Sequence, residues 1–352
     1  MIAGMADDDA RSAVFAEGLL RGKVAIVTGG GTGLGKATAI ELARCGAKVV
    51  IAGRRAETLG AATREILEAI GAGETAETAT GAGGDSTDTG GAASGAGGEG
   101  AVNGAGGDVA RGTPEGAGGR GADWESWVEW VAADVREPAD AKRLVETVIE
   151  RCGRLDILVN NAGGQYFTPA EGIAPKGWRA VWRLNVEGML NMSAAAVELG
   201  MGGAGSARAL SEGGAIVNVT LSPHHGMPGM AHSGAARATV EALTREMAER
   251  WSEEGVVVTA VAAGHFDTEA MGKYPETVRA GMARSVPMQR LGEPREHAWV
   301  VALLCSPLGR ALNGSTITLD GARDNWFGPW PPPGLTGGTG EVPTEARRRS
   351  AS

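Results

Sequence analysis

Cysteine is scarce in this chain of 352 residues. Only Cys45, Cys152 and Cys305 are present, each in its own segment near the end of an expected helix. An odd count without metal-ligand spacing argues against a disulfide framework and against a metal site, and points to reduced thiols in a cytoplasmic protein. Also missing is any uninterrupted apolar run long enough to span a membrane. There is no basic-then-apolar leader either, because the first twenty residues carry Asp7, Asp8 and Asp9. Excess positive charge is lacking, and a net charge of −9 weighs against nucleic acid as the main partner. The closing RRRSAS is basic but short and is not an SKL-type address. Arg outnumbers Lys 27 to 6, a compositional hint of a GC-rich, bacterial genome.

Large apolar residues are nearly absent from one long internal stretch. Between Gly71 and Gly121 only Val102 and Val109 interrupt a run of small and polar residues. Such a segment cannot bury enough surface to offset its ordering entropy, so 71–122 is expected to be a disordered insertion. Residues 1–19 read as an N-terminal extension and 20–327 as a single α/β domain. Residues 328–352, with GPWPPPG at their start, read as a flexible tail. The insertion falls between a helix and a strand, where the cost of closing a longer loop grows slowly.

Outside that stretch, apolar runs and helical patterns alternate. Strands are expected at 23–28, 47–53, 127–135, 155–163, 214–220, 256–264 and 315–321. Helices are expected at 33–45, 56–70, 138–151, 175–199, 232–253 and 294–305. Seven strands with helical crossovers imply a Rossmann-type doubly wound sheet of seven parallel strands. The first strand runs into TGGGTGLG, Thr28 to Gly35, which opens the first helix. Glycines there let the backbone turn tightly and approach a pyrophosphate, and the helix N-terminus offers free N–H groups and its positive dipole end. The order of strand, glycine turn and helix implies a dinucleotide site; an ordinary strand-to-helix turn is the plainer reading.

The spacing of Thr28, Gly29, Gly33 and Gly35 resembles the short-chain dehydrogenase/reductase family. Asn160-Asn161-Ala162-Gly163 at the end of the fourth strand is among that family's most specific signatures. The resemblance covers 20–325 apart from the insertion. It implies that Thr28, Gly29, Gly31, Thr32, Gly33, Leu34 and Gly35 cradle the cofactor. It places Asp134 and Val135 at the adenine, and Asn161, Ala162 and Gly163 beside the ribose. Gly264 and Thr268 fall at the nicotinamide, with Ala263 where the family has proline. It gives Asn185 a water of the proton relay. Arg54 and Arg55 follow the second strand, where an acid would favour NAD and a base pairs with the 2′-phosphate of NADP. NADPH is therefore the expected cofactor, a solvated turn being the alternative for the two arginines.

The catalytic centre departs from the family. A Tyr with a Lys four residues later is the usual pair, yet Ser233 and Arg237 stand there, and no Tyr lies between 167 and 273. Serine has no accessible pKa for proton donation near neutrality. The enoyl-thioester reductases of the family tolerate this loss. The segment from Gly163 to Gly188, the HSGAARA turn and Asp324-Asn325-Trp326 resemble the peroxisomal trans-2-enoyl-CoA reductases and, more distantly, the 2,4-dienoyl-CoA reductases. Arg237 is the candidate for holding ribose hydroxyls and supplying positive charge. Tyr166 and Thr220 are candidate donors, with Ser222, His224, His225 and His232 nearby. For Tyr166 packing, for Ser233 helix capping, and for the histidines of the loop plain surface exposure are the competing readings. Met271 to Met288 is the expected substrate lid, its methionines suited to an acyl chain or to core packing.

The expected activity is NADPH-dependent reduction of a 2-enoyl thioester. An NADP-dependent carbonyl reductase and a non-catalytic NADP-binding protein are the alternatives. The expected partners are a small-molecule acyl thioester and further copies of the chain, as a tetramer or dimer through the helices at 175–199 and 232–253, with no nucleic acid and no membrane.

Overall fold

The structure is a computed structural model that describes residues 11–71, 127–201, 213–222, 224, 229–273 and 276–325. The expected insertion and tail lie almost wholly outside the described residues.

Strands β1 (Val24–Thr28), β2 (Lys48–Gly53), β3 (Val128–Ala132), β4 (Ile157–Asn160), β5 (Ala215–Leu221), β6 (Val257–Ala263) and β7 (Thr316–Leu319) form one sheet. Its order is β3-β2-β1-β4-β5-β6-β7, parallel throughout. The order reverses between β1 and β4, and in such sheets ligands bind in the crevice at that reversal, beyond the carboxyl ends of the strands.

Alternation along β1 divides the core. Val24 and Ile26 join α3 (Pro138–Cys152), α5 (Gly188–Ala196) and α6 (Ala231–Arg250) on one face. Ala25 and Val27 join α1 (Gly33–Arg44), α2 (Ala56–Ala69) and α8 (Pro294–Cys305) on the other. Both faces of the sheet are covered, which is why the strands read as continuous apolar runs. The N-terminal segment belongs to this packing. Leu20 is buried, Phe15 and Leu19 lie against the second core, and the Ser12 hydroxyl donates to Glu41 at 2.5 Å.

Three expected elements are shorter or more broken than their apolar patterns. β4 stops at Asn160 because the amides of Asn161 and Ala162 donate to the Thr28 hydroxyl, at 3.1 and 3.0 Å, instead of continuing the ladder. β3 stops at Ala132, so Asp134 lies beyond it, its amide bonded to the Asp140 carboxylate at 3.0 Å. The expected helix over 175–199 is α4 (Pro175–Trp182), a π turn (Arg183–Glu187), α5, and a second π turn (Val197–Met201). Asn185 explains the first π turn. Its side-chain amide donates to the Val181 carbonyl at 2.7 Å, while the Gly188 amide reaches back to Arg183. The remaining helix, α7 (Glu276–Arg284), lies in the segment after β6.

Candidate active site

A cavity of about 840 Å³ runs along the carboxyl ends of β1, β2, β4, β5 and β6. It lies within the size range of small-molecule and cofactor pockets. Its floor is the glycine turn. Gly29 and Gly33 have φ of +65° and +55°, a region that disfavours residues with a Cβ. A Cβ on Gly35 would collide with the Asn161 amide and the Gly29 carbonyl. The Asn161 amide nitrogen donates to the carbonyls of Thr28 and Gly29, at 3.0 and 3.2 Å. The turn and the NNAG segment are thereby locked together. Thr32 precedes α1 without capping it through its side chain; the first helical amide, that of Gly33, donates instead to the Glu269 carboxylate at 2.8 Å.

Most of the expected cofactor residues line this cavity: Gly29, Gly31, Thr32, Gly33 and Leu34 of the turn, then Arg54 and Arg55 after β2. Asp134, Val135, Asn161, Ala162, Gly163, Gly264 and Thr268 line it too. Thr28 and Gly35 do not; Thr28 is buried beneath the turn, as the brace between β1 and β4. Arg54 and Arg55 are exposed. Asp134 is gripped by the Arg136 guanidinium, at 2.8 and 3.0 Å from Nε, which holds its carboxyl below the usual range.

Arg237, from α6, lines the cavity. Its Nη1 donates to the Val219 carbonyl at 2.5 Å, its Nε has no partner, and no carboxylate pairs with it among the described residues. Burial lowers its pKa to about 10, so the cation persists at neutral pH. A Cβ on Gly163 would strike its guanidinium and approach the Asn185 side chain, so glycine is required there.

The other expected catalytic groups divide. Thr220 lines the cavity wall and donates to the Glu241 carboxylate at 2.8 Å. Tyr166 lines the rim, its ring 4.5 Å from that of His232 and its hydroxyl against Gly177 of α4. The position thus serves both readings of Tyr166. Ser233 and Asn185 do not line the cavity. Ser233 is fully buried in the first turn of α6 and donates to Gln165 at 3.2 Å, while Met230 occupies the N-cap, so the capping reading does not hold. The Asn185 side chain is bonded to Gly164 and to the Val181 carbonyl, and so holds the strand exit. His232 is buried with neither ring nitrogen bonded, and burial lowers its pKa. The Ser222 hydroxyl is bonded to Asp320. His225 lies outside the described residues.

Several site residues were not singled out from sequence. Glu241 joins Thr220 to His224, and Asp324 holds His224 from the other side. Asn160 donates to Asn218 and Asn218 to Thr244, both at 2.9 Å, a buried polar ladder from β4 through β5 to α6. Phe167, Met230 and Phe266 form apolar walls of the cavity, joined by Met271 and Met282 of the expected lid segment. Cys45 and Cys305 are buried, and burial pushes the Cys45 thiol up to about 12, so neither suits nucleophilic work. Among the described residues no group of His, Cys, Asp or Glu is placed to hold a metal ion, and no helix is long and apolar enough to cross a membrane.

Comparison with known proteins agrees with this geometry. Residues 119–322 match the family described as Enoyl-(Acyl carrier protein) reductase, and 23–93 match the short chain dehydrogenase family. A Bacillus subtilis (strain 168) protein, named as a probable 2,4-dienoyl-CoA reductase, is 30% identical over 88% of this chain and 98% of its own. A peroxisomal 2,4-dienoyl-CoA reductase of Arabidopsis thaliana is 28% identical over 87% of this chain and 86% of its own. The solved citronellol catabolism dehydrogenase AtuB of Pseudomonas aeruginosa PAO1 superposes with a TM-score of 0.63 at 32% identity, over 88% and 98% of the two chains. With the glycine turn, the NNAG exit and the seven-stranded parallel sheet already in place, these likenesses establish that the chain belongs to the short-chain dehydrogenase/reductase family.

Proposed function

We propose that the protein uses NADPH to reduce the α,β double bond of a 2-enoyl thioester carried on coenzyme A. Family membership makes the chain an oxidoreductase. The finer reading rests on one observation: a buried serine and a desolvated guanidinium without a carboxylate partner stand where a tyrosine and a lysine would serve a carbinol. The Ser233 hydroxyl is already spent on Gln165. Reduction of a C=C bond conjugated to a thioester moves negative charge to the thioester oxygen, which needs a cation or donor, and the α carbon needs a proton. Arg237 supplies the cation.

The residues present fit the cofactor. The glycine turn has no room for side chains at Gly29 and Gly35, so the backbone itself lines the cavity, and a diphosphate would take the Gly33 amide that Glu269 holds. Arg54 and Arg55 stand exposed at the end of β2, suited to a 2′-phosphate. When bound, NADPH supplies the hydride. Arg237 lines the cavity and would bond ribose hydroxyls, and the aromatic and methionine walls suit an acyl chain. The names of the two reductase relatives extend the candidate substrates to 2,4-dienoyl thioesters.

Purified protein with NADPH and crotonyl-CoA, or a longer 2-enoyl-CoA, should oxidise the cofactor and yield the saturated thioester. Turnover of ketones but not of enoyl thioesters would favour an NADP-dependent carbonyl reductase, the reading nearest the name of the Pseudomonas dehydrogenase. Tight NADPH binding with no turnover of either class would mark a non-catalytic NADP-binding protein.

A further inference from the structure

A line of polar side chains leads from the cavity to solvent through a residue that the family motif does not involve. Thr220, at the end of β5, lines the cavity and donates to Glu241 Oε1 at 2.8 Å. Glu241 sits on α6 one turn beyond Arg237, outside the cavity lining. The same oxygen lies 3.1 Å from His224 Nε2. The His224 side chain reaches solvent, with 31% of its surface exposed against 12% for Glu241. Asp324 fixes the imidazole from the opposite side, bonding Nδ1 and accepting the His224 amide at 2.6 Å. The Asp324 amide is in turn held by Asp320 at 2.7 Å.

We propose that His224, Glu241 and Thr220 form a proton relay that carries a solvent proton into the cavity, in place of the missing tyrosine–lysine pair. The inference rests on the reading of the site as a reductase. As hydride adds to the β carbon, the π bond breaks and its electron pair takes the Thr220 hydroxyl proton at the α carbon. In the same concerted transfer the protonated His224 gives a proton to the Glu241 carboxylate and Glu241 hands it on to the Thr220 oxygen, so no free alkoxide forms. A solvent proton then restores His224, and each residue ends as it began. Thr220 is the catalytic residue of the three; Glu241 and His224 act through it. The groups that face the imidazole are Glu241 from α6 and Asp324 from the C-terminal turn, with Asp320 behind Asp324. Burial lowers the pKa of His224 and the two carboxylates raise it, with a net rise that keeps a proton available near neutrality.

The test compares wild type with Thr220→Val, Glu241→Gln and His224→Ala, each first shown to bind NADPH with an unchanged Kd. The relay requires kcat to fall roughly 10- to 100-fold in each variant with KM little changed, within the range for a lost general acid. It also requires a larger solvent isotope effect, loss of the alkaline limb of the kcat profile in His224→Ala, and partial rescue of that variant by imidazole. Full activity with the wild-type pH profile would show that His224 and Glu241 only clasp the C-terminal turn, and would overturn the relay while leaving the reductase reading intact. If wild type reduces ketones and not enoyl thioesters, the substrate reading falls and the same variants test the relay on the ketone. If wild type turns over neither class, both fall together.

Discussion

Glu269 accepts the backbone amide of Gly33 at 2.8 Å, so a carboxylate rests on the helix N-terminus that a dinucleotide diphosphate needs. Lys36 holds the other Glu269 oxygen at 2.6 Å and Glu65 at the same distance. Glu269 follows Thr268, so the segment after β6 is tied to the glycine turn by an anion that imitates the ligand.

A diphosphate must displace that carboxylate, so Glu269→Gln should bind NADPH more tightly. The carboxylate is half exposed, and one charge-assisted contact there is worth about 1 kcal/mol, a fall in Kd of roughly three- to tenfold. A fluorescence titration decides it; an unchanged or weaker Kd would remove the competition.

Reversing charge at the end of β2 tests the cofactor. Arg54→Glu should weaken NADPH binding by about 10- to 100-fold and NADH binding far less, because only the former carries a phosphate there. Equal losses in the two Kd values would sink the NADP assignment.

Two glycines near the same helix should respond oppositely to alanine. At Gly163 the new methyl meets the Arg237 guanidinium, and a cost of about 1–3 kcal/mol with loss of NADPH binding is expected. At Gly234, in α6, no atom lies within 4 Å, and the change should stabilise by about 0.4–1 kcal/mol. Thermal melts of both variants check the pair.

Arg237 gives a pH signature. Its folded pKa of about 10 lies below the ordinary guanidinium value, so the unfolded chain binds more protons between the two. Stability should carry the full cost of the buried cation below pH 10 and recover part of it as pH rises through that window. NADPH affinity should run the other way, declining as the cation is lost near pH 10. Arg237→Met, already weak, should show neither change; a wild-type Kd flat across this range would refute the role.

Much of this architecture is legible without coordinates because its signals are local. The apolar runs of β1 and β5, the glycines after Thr28 and the NNAG exit each declare themselves within a few residues. What is not legible depends on distant partners. Asp134 looks like the end of a strand until Asp140 and Arg136 claim its amide and carboxylate. Asn185 sits at the family position, yet its amide turns inward to Gly164 and Val181 and breaks the helix into a π turn. Glu241 is unremarkable in sequence and His224 stands out only as one of two loop histidines; the packing of α6 on β5 puts Glu241 between His224 and Thr220.

Gly71 follows α2 and Trp127 precedes β3 at its amino end, whereas the cavity opens at the carboxyl ends of the strands. The described fold therefore has a working pole and an idle one, with both of these junctions at the idle pole. They offer an engineer splice points for a reporter or a second domain, expected to leave the Kd for NADPH unchanged.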